Sequence, residues 1–399
     1  MGTDWRDTSK KVLEELQTIQ VKDDDFSLGF IYISDHLAED AGSILNLFQS
    51  VTGLENWIGC VGVGILANGQ TSFDTPAIAA MLTRIPEESF AIPPCNDFDT
   101  QGDSHYFSSW INENEPFCMI AHGSPASAPD PLTQLEDLHK NTGSFIVGGL
   151  SSSRTDHVQF AGGVIEEGLC GVVFNDDVQI LTGLSQGCKP IGPKRRITRA
   201  HDNMVLEIDK QRAFDVFIKD VQSYRQNFPS LTKGQGGIKD TTQLAQDSLF
   251  YGDIHVAFPV RGSDLQDYTV RNISELNPDQ GSISLSTPFI EQEEICLVLR
   301  DPSSRDEDLS KMLLRMRQRF HKQFGHFQPK GALYISCVAR ADQNQLSGLS
   351  QESDHFREND EMKLINEIIG DIPIIGFYAS GEISNARLYG YTGILILFN

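Results

Sequence analysis

The last 28 residues of the chain, Ile372–Asn399, indicate its fold most clearly. They begin with IPIIGFYASGEI (372–383) and end with YGYTGILILFN (389–399). An apolar run, Ile372–Tyr378, leads into a turn of small residues that carries Glu382, and a second apolar run, Tyr389–Phe398, follows. Short apolar runs bounded by turn residues are typical of buried strands. We therefore predict two buried strands joined by a polar turn, at the kind of strand end that often holds a ligand.

Upstream of this stretch, helical and strand-like patterns alternate along the chain. Residues 5–20 place Val12, Leu13, Leu16 and Ile19 on one helical face, and Leu28–Ser34 has the β-branched and aromatic content of a strand. The whole pattern predicts a mixed α and β fold, either α+β or α/β, with two sheet-containing domains and flanking helices. Strict parallel winding is not predicted, because the late strands follow one another like hairpins.

The predicted organisation has an N-terminal amphipathic helix (1–25), a first domain (26–200) and a second domain (201–399). The stretch Gly187–Ala200, rich in Gly, Pro and Arg, is predicted to connect the two domains, and the polar stretch Gln343–Asp360 to be a mobile insertion. An apolar strand, a glycine, a small polar turn and a closing strand follow one another in residues 145–175 and again in 374–399. This repetition indicates either an internal duplication or a common pattern of buried strands, and both remain open.

Composition excludes several classes of protein. The chain has 399 residues and a net charge of −23, a field that repels phosphate backbones and anionic membranes, so we expect neither nucleic acid nor membrane as a partner. Its seven cysteines include no C-x-x-C pair, which favours reduced, buried thiols and no metal site. The N-terminus has no apolar signal core, and no apolar run approaches the ~20 residues of a membrane span. A cytoplasmic location is expected.

Several motifs have a simpler interpretation than the functional one. Gly62–Ala67 fits the dinucleotide fingerprint G-x-G-x-x-A, but Asn68-Gly69 is a turn signal where that fingerprint needs a helix. The basic run at Lys194–Arg199 is more typical of a solvated loop than of a phosphate site. No G-x-S-x-G elbow or H-E-x-x-H spacing is present. We therefore predict no catalytic residues and a protein that is not an enzyme.

Three charged residues beside apolar strands are candidates for function. Arg261 follows F-P-V, Arg340 closes Y-I-S-C-V-A-R, and Glu382 lies in S-G-E-I. A charge at the edge of a buried strand costs free energy unless it is paired or held for a ligand. One interpretation is an internal salt bridge between Glu382 and either arginine. The other is a polar end of a pocket, with guanidinium groups for a carboxylate and Glu382 for an amine or a hydroxyl.

These segments resemble the FIST family of sensory modules, which have an N-terminal and a C-terminal FIST domain. The resemblance rests on motifs in a fixed order from about residue 26 to the C-terminus: WIGCVGVG (57–64), FIVGGLSSS (145–153), SQGCKPIGP (185–193), FPVRGSD (258–264), SCVAR (336–340) and GFYASGEI (376–383). It implies a FIST N-like domain over 26–200 and a FIST C-like domain over 201–399. It also implies a sensor of amino-acid-like ligands in signal transduction, and some members are described as haem-binding nitric oxide sensors that act on a histidine kinase.

The main hypothesis is a cytoplasmic sensor that binds an amino-acid-like or carboxylate ligand and signals through a separate partner, such as a histidine kinase. The predicted ligand-binding residues lie at strand ends and turns: Arg261, Arg340, Ser380, Glu382, Cys337, Gly149, Ser151 and Ser152. The first alternative is a sensor of nitric oxide that binds haem b through His122 or His255. The second alternative is a hydrolase or transferase built on His122, Ser124 or Cys337.

Overall fold

The structure is a computed structural model that describes residues 2, 4–20, 25–93, 105–227, 254–260, 268–286, 289, 293–300, 302–341 and 357–399. Within these residues, helices and mixed sheets confirm the predicted mixed α and β class as an α+β fold. The chain divides into two compact units: unit 1 combines Met1–Ser185 with Asp308–Asn399, and unit 2 is Gln186–Glu307. The domain boundary near residue 200 stays a prediction.

The elements are numbered in chain order. The helices are α1 Trp5–Gln20, α2 Ala41–Thr52, α3 His105–Asn114, α4 Pro131–Thr142, α5 Ala213–Asn227, α6 Pro302–Phe324 and α7 Asp360–Ile369. The strands of unit 1 are β1 Leu28–Ser34, β2 Trp57–Gly62, β3 Gly64–Ala67, β4 Gln70–Phe73, β5 Ile78–Thr83, β6 Phe90–Ala91, β7 Cys118–Gly123, β8 Phe145–Leu150, β9 Gln159–Ala161, β10 Val164–Ile165, β11 Leu169–Phe174, β12 Ile180–Gln186, β21 Gly331–Cys337, β22 Arg357–Glu358, β23 Ile374–Ala379, β24 Gly381–Ser384, β25 Arg387–Tyr389 and β26 Thr392–Phe398. The strands of unit 2 are β13 Cys188–Pro190, β14 Arg195–His201, β15 Met204–Ile208, β16 Gln211–Arg212, β17 Ile254–Pro259, β18 Tyr268–Asn277, β19 Ser282–Leu285 and β20 Glu294–Arg300.

Unit 1 repeats one module three times. Each module is a strand, a helix and a second strand parallel to the first: β1–α2–β2 in module A, β7–α4–β8 in module B and β21–α7–β23 in module C. In each, the chain then forms a hairpin (β3–β4, β9–β10 or β24–β25) and returns in a strand antiparallel to the first (β5, β11 or β26). The repeated order noticed at residues 145–175 and 374–399 therefore corresponds to modules B and C, and module A is a third copy.

A glycine marks the same position in each module. Gly59, Gly148 and Gly376 pair with the residues opposite them on the parallel strand. A Cβ atom there would lie 1.6, 1.9 and 1.7 Å from the carbonyl oxygen of that partner residue. Any side chain would push the two strands apart, so each parallel pair needs glycine at this place. The three glycines also fix the register by which equivalent residues of the modules are compared.

The modules exchange hairpin strands in a ring. Strand β9 of module B pairs with β2 of module A, β24 of module C pairs with β8 of module B, and β3 of module A pairs with β23 of module C. The three sheets are thus each built from two modules, and their inner faces share one apolar core that includes Phe30, Ile120 and Ile335. Exchange of this kind makes each module depend on its neighbours for a covered sheet edge.

Unit 2 is built differently. Its antiparallel strands follow the order β20-β14-β15-β19-β18-β17, and β17 pairs again with β20, which closes a ring of six strands. Apolar residues of α5, among them Phe214 and Phe217, pack into the core of this unit with Ile197, Ile283 and Leu297. No helix in the described part of the chain is both long enough and apolar enough to cross a membrane.

Some local sequence signals correspond directly to features of the structure. Helix α4 begins after an aspartate cap, because the Asp130 carboxylate accepts the N–H groups of Leu132 and Thr133 at 3.1 and 3.2 Å. The turn at Asn68-Gly69 is confirmed, because both residues have positive φ and join β3 to β4. The stretch Gly187–Ala200, predicted to connect the two domains, contains β13 and most of β14, which pair with β20. The predicted insertion Gln343–Asp360 lies mostly outside the described residues.

Candidate functional site

Equivalent residues of the three modules form an inner row on each sheet. The register pairs Tyr32, Cys60 and Gln159 across one sheet. It pairs His122, Gly149 and Glu382 across the second. It pairs Ile335, Phe377 and Ile65 across the third. Paired residues of neighbouring strands project from the same sheet face, and these nine residues are buried. The inner row brings two predicted residues, Glu382 and Gly149, beside the alternative candidate His122.

Glu382 is fully buried and only half satisfied. Its Oε2 accepts the backbone N–H of Thr392 at 3.2 Å and the Thr392 hydroxyl at 2.7 Å. Its Oε1 makes no hydrogen bond with any described residue. Burial raises the pKa of this carboxyl to about 8, although the Thr392 donors, the Cys337 thiol and the charge of Arg340 each pull it down. The group is therefore mostly a neutral acid at pH 7, and the weakly donating Cys337 thiol lies beside the carboxyl whose second oxygen Thr392 leaves unsatisfied.

The threefold repeat shows that the scaffold does not need a carboxyl group at this position. The equivalents of Glu382 are Ile65 in module A and Gln159 in module B. With its amide oriented to suit its neighbours, Gln159 accepts from the Ser124 N–H and donates to the Ile165 carbonyl, both at 3.2 Å. One equivalent is thus apolar and the other is fully hydrogen-bonded. An unsatisfied buried polar group costs about 1–3 kcal/mol, so Glu382 is the member of the set whose presence needs a reason other than folding.

Arg340 has a carboxylate partner that the sequence did not point to. Its Nε and Nη2 donate to Oε1 of Glu361 at 2.7 and 2.6 Å, and its Nη1 donates to the Ser185 carbonyl at 3.1 Å. The Ser336 hydroxyl donates to the other Glu361 oxygen at 2.8 Å. Both side chains of the pair are almost fully buried. The internal salt bridge expected for Arg340 exists, but with Glu361 rather than Glu382, whose pKa the arginine lowers as a nearby charge.

Glu361 was missed because of its place in the sequence. It lies in the first turn of α7, where an acidic residue ordinarily favours the helix dipole and faces solvent. The cap of that helix is Asn359, whose side chain accepts the Met362 N–H at 2.9 Å. No sequence pattern separates a buried first-turn glutamate from an exposed one. Gln159 and Thr392 were missed for a related reason, since only the strand register gives them meaning.

Cys337 lies next to Glu382, and its thiol is unreactive. Its thiol is buried, and burial together with the neighbouring carboxyl raises its pKa. A raised pKa suppresses the thiolate, which is the reactive form. Together with Arg340 and Glu382 it forms a buried polar cluster at the carboxyl end of β21, so three predicted ligand-binding residues do come together.

The predicted serines form a second group that joins the modules. The Ser152 hydroxyl accepts the Val63 N–H at 3.0 Å and donates to the Tyr378 carbonyl. The Ser380 hydroxyl donates to the Ser151 carbonyl at 2.7 Å. These bonds connect the ends of β2, β8 and β23, one strand from each module. Ser380 alone of the three serines is exposed, so this group forms the solvent-facing end of the ring.

Gly149 separates Glu382 from His122. A Cβ atom on Gly149 would lie 2.8 Å from Cγ2 of Ile335 and 3.0 Å from Cβ of Ala379. The space above the glycine is therefore filled by apolar side chains of module C. Glu382 and His122 share a sheet face but belong to two separate polar spots.

His122 is held by a tyrosine. Its Nε2 lies 3.2 Å from the Tyr32 hydroxyl, and its Nδ1 has no hydrogen-bond partner among the described residues. Burial lowers its pKa to about 3, so the ring is neutral across the physiological range. Its hydrogen bond is to Tyr32, and no hydrogen bond joins it to Ser124 or Cys337 in the described part of the chain. The hydrolase or transferase alternative built on His122 therefore has no serine or cysteine nucleophile within hydrogen-bond reach of that histidine among the described residues.

The surroundings of His122 do not accommodate haem b. A haem needs an open imidazole nitrogen and room for a flat macrocycle. The ring of His122 packs against Tyr32 and Phe377, with centroids 5.5 and 5.8 Å apart, and is fully buried. Haem does not fit there without repacking the core. His255 of unit 2 is buried on β17, where burial and the charge of Arg300 lower its pKa to about 4. Arg261 lies outside the described residues.

Comparison with known proteins gives two family matches. Residues 27–211 match the FIST N domain, and residues 213–385 match the FIST C domain. An uncharacterized protein of Mycobacterium tuberculosis is 26% identical over 359 residues, which cover 86% of this chain and 83% of that protein. An uncharacterized protein of Mycobacterium bovis is 26% identical over 390 residues, covering 93% of this chain and 90% of the relative.

Proposed function

The chain belongs to the FIST family, whose domains are associated with sensory proteins of signal transduction, and we propose that it senses a small ligand through Glu382. The supporting observation is the comparison of Ile65, Gln159 and Glu382. Two modules fill the position with a residue satisfied within the fold, and the third holds a buried carboxyl with an unpaired oxygen. Perturbed, unsatisfied ionisable groups of this kind mark binding sites more often than scaffolds.

The ligand is an amino-acid-like or carboxylate molecule. An ammonium group placed at Oε1 of Glu382 supplies the missing donor and favours the ionised carboxyl. The carboxylate of the same ligand is bound by Arg340, in competition with Glu361. Guanidinium groups suit a carboxylate because they present paired donors in one plane.

Binding requires local opening, because Glu382 is fully buried. The residue lies on β24, and the hairpin β24–β25 is the edge of its sheet. Edge hairpins have covered neighbours on one side only and open at lower free energy than central strands. Ligand binding shifts the population of this opened hairpin, and the signal passes to a separate partner in the cytoplasm, such as a histidine kinase.

A thermal-shift panel of amino acids, small amines and small carboxylates tests this function. We expect at least one amino-acid-like compound to raise the melting temperature of the wild-type protein. Glu382→Gln should abolish that shift, and it should fold because Gln159 occupies the equivalent position. Gln159→Leu is the matched control and should keep the shift. A shift that survives in Glu382→Gln, or none for any compound, would refute the proposal.

Haem remains the alternative proposal, through His255 rather than His122. An absorption spectrum before and after addition of hemin, and then of nitric oxide, decides it. A Soret band that is lost in His255→Ala would replace the amino-acid ligand with haem. If the spectrum shows no uptake of haem, the proposal of a ligand at Glu382 stands.

A further inference from the structure

Helix α6 carries a basic surface in an acidic chain. Residues 309–330 contain six Lys or Arg residues and no Asp or Glu, in a protein whose net charge is −23. The stretch 178–201 also lacks Asp and Glu, so what matters is which of the cations are exposed and unpaired. The basic surface is formed by Lys311, Leu314, Arg315, Arg319 and Lys322.

The basic surface faces solvent along the length of the helix. Lys311, Arg315 and Lys322 follow the spacing i, i+4 and i+11, which places them on one side of the helix. All are exposed, and Leu314 between them is 51% exposed. The opposite side of α6, with Met312, Leu313 and Met316, is buried in the core of unit 1.

Three of the four cations of this surface are not neutralised by any residue that the structure describes. In the described part of the chain, Arg315, Arg319 and Lys322 form no ion pair with a carboxylate. The basic run at Lys194–Arg199 differs, because Arg195 pairs with Asp220 and Asp209, and Arg199 pairs with Glu207. The neighbouring Arg317 is also occupied: its guanidinium lies over the Phe327 ring and donates to the Ile368 carbonyl at 3.1 Å.

We propose that the basic surface of α6 is the docking site for an acidic face of a partner protein. An exposed apolar side chain beside a row of cations is a composition suited to a protein–protein interface, and Leu314 lies at one edge of the row formed by Lys311, Arg315, Arg319 and Lys322. Nucleic acid is disfavoured, because the field of the whole chain repels a dense polyanion. Membrane insertion is disfavoured, because the apolar side of the helix is buried in the protein.

Strand β12 connects this helix with the polar cluster around Arg340. Ser185 of β12 accepts from Arg340, and Gly183 lies two residues earlier on the same strand face. A Cβ atom at Gly183 would lie 2.2 Å from the Met316 sulfur and 2.4 Å from the Met312 sulfur. A movement of Arg340 can therefore be transmitted through β12 to the buried side of α6. That signalling role rests on the proposed function, whereas the binding itself does not.

The test measures binding of three defined probes by fluorescence at low salt. The probes are a labelled amphipathic peptide of glutamate and leucine, a DNA duplex, and vesicles of phosphatidylserine and phosphatidylcholine. We expect the wild-type protein to bind the peptide more tightly than the other two. The double variant Arg315→Glu/Arg319→Glu should bind it at least about tenfold more weakly, and Leu314→Ser about threefold more weakly, since charge and apolar contact both contribute.

The control variant Lys10→Glu/Lys140→Glu makes the same change of charge on the exposed sides of α1 and α4 and should keep peptide binding within about twofold. The proposal would be overturned if both double variants lost peptide affinity equally, or if the wild type did not bind the peptide or preferred DNA or vesicles. It would also be overturned if the protein self-associated and Arg315→Glu/Arg319→Glu abolished that self-association. The thermal shift by amino acids should be the same in the basic-surface variant as in the wild type. If no compound shifts the melting temperature but the peptide binds, only the proposed ligand is refuted. If a compound shifts the melting temperature but the peptide does not bind, only the docking surface is refuted.

Discussion

At the residue scale, the molecule holds two kinds of buried charge that respond differently to substitution. Arg340 and Glu361 satisfy each other through two short contacts, and Ser336 and Ser185 complete their hydrogen bonds. Glu382 lacks such a partner and is kept mainly neutral by burial. The first pair is satisfied within the fold, and Glu382 is the group through which we propose that the ligand binds.

Removing one member of the scaffold pair should be costly. Arg340→Met leaves the Glu361 carboxylate buried without its cation, and we expect a loss of about 3–5 kcal/mol in the free energy of unfolding, measured by urea denaturation. Adding Glu361→Gln should restore part of that loss. The exposed pair Arg199–Glu207 provides the control, and Arg199→Ala should cost no more than about 1 kcal/mol. A small effect of Arg340→Met would mean that the pair contributes little to stability.

The raised pKa of Glu382 predicts a pH dependence with a definite sign. The folded protein keeps this proton up to about pH 8, whereas the unfolded chain loses it near the ordinary value of 4.5. Stability from this group is therefore complete below pH 4.5 and is lost as the pH rises toward 8, by up to about 1.4 kcal/mol per pH unit. His122, whose pKa burial lowers to about 3, has the opposite effect: its contribution to the free energy of unfolding is lost as the pH falls below 6.5.

The difference between the wild type and Glu382→Gln isolates the carboxyl, because the histidines titrate equally in both proteins. Urea unfolding at several pH values should show the wild type falling relative to the variant between pH 5 and 8. Parallel curves for the two proteins would show that Glu382 is ionised in the fold at neutral pH.

At the element scale, the proposed function requires the hairpin β24–β25 at the sheet edge to open. Its turn residues Asn385 and Ala386 both have positive φ, at 51° and 55°. Alanine is strained in this region, and Asn-Gly is the preferred pair for such a turn.

Ala386→Gly should therefore stabilise the hairpin. We expect a gain of about 0.5–1 kcal/mol, because the relief of strain exceeds the added freedom of the unfolded chain. Hydrogen exchange of residues 381–389 should become slower, and ligand association should slow with it. Ala126→Gly, in an exposed turn without positive φ, should give no gain. Faster exchange of the hairpin in Ala386→Gly would contradict this description of the turn.

The sequence predicted elements better than it predicted their pairing. Helix α1 and strands β1, β23 and β26 follow from apolar spacing and β-branched content. Short strands such as β9, β10 and β16 were missed, because two or three residues carry no measurable period. The partner of Arg340 and the equivalents of Glu382 were missed because burial and register are properties of the folded chain.

At the scale of the whole molecule, exchange of hairpins makes unit 1 one cooperative structure. The contact between β3 and β23 joins Ile65 to Phe377 across most of the chain, a pairing that no local signal specifies. The ordered motifs identified the family even though the sequence alone does not predict this long-range strand pairing. The same exchange predicts how the molecule unfolds.

Hydrogen exchange under mild denaturant should show β1, β7 and β21 becoming accessible together, because loss of any module uncovers a sheet edge of its neighbour. Unit 2, with its own core, should exchange with a different midpoint. The control is the hairpin β24–β25, which should exchange earlier by local opening. Full exchange of one module while the other two stay protected would show that the ring is not cooperative.

The most direct test of the ligand site is calorimetric titration of the most stabilising compound from the thermal-shift panel, at pH 7 in two buffers of different ionisation enthalpy. If an ammonium group meets Glu382, the carboxyl ionises on binding, and about one proton per protein should be released because its pKa starts near 8. Glu382→Gln should bind more weakly and release no proton. Binding without proton release in the wild type, or equal affinity and release in the variant, would contradict the assignment of Glu382 as the ligand-binding group.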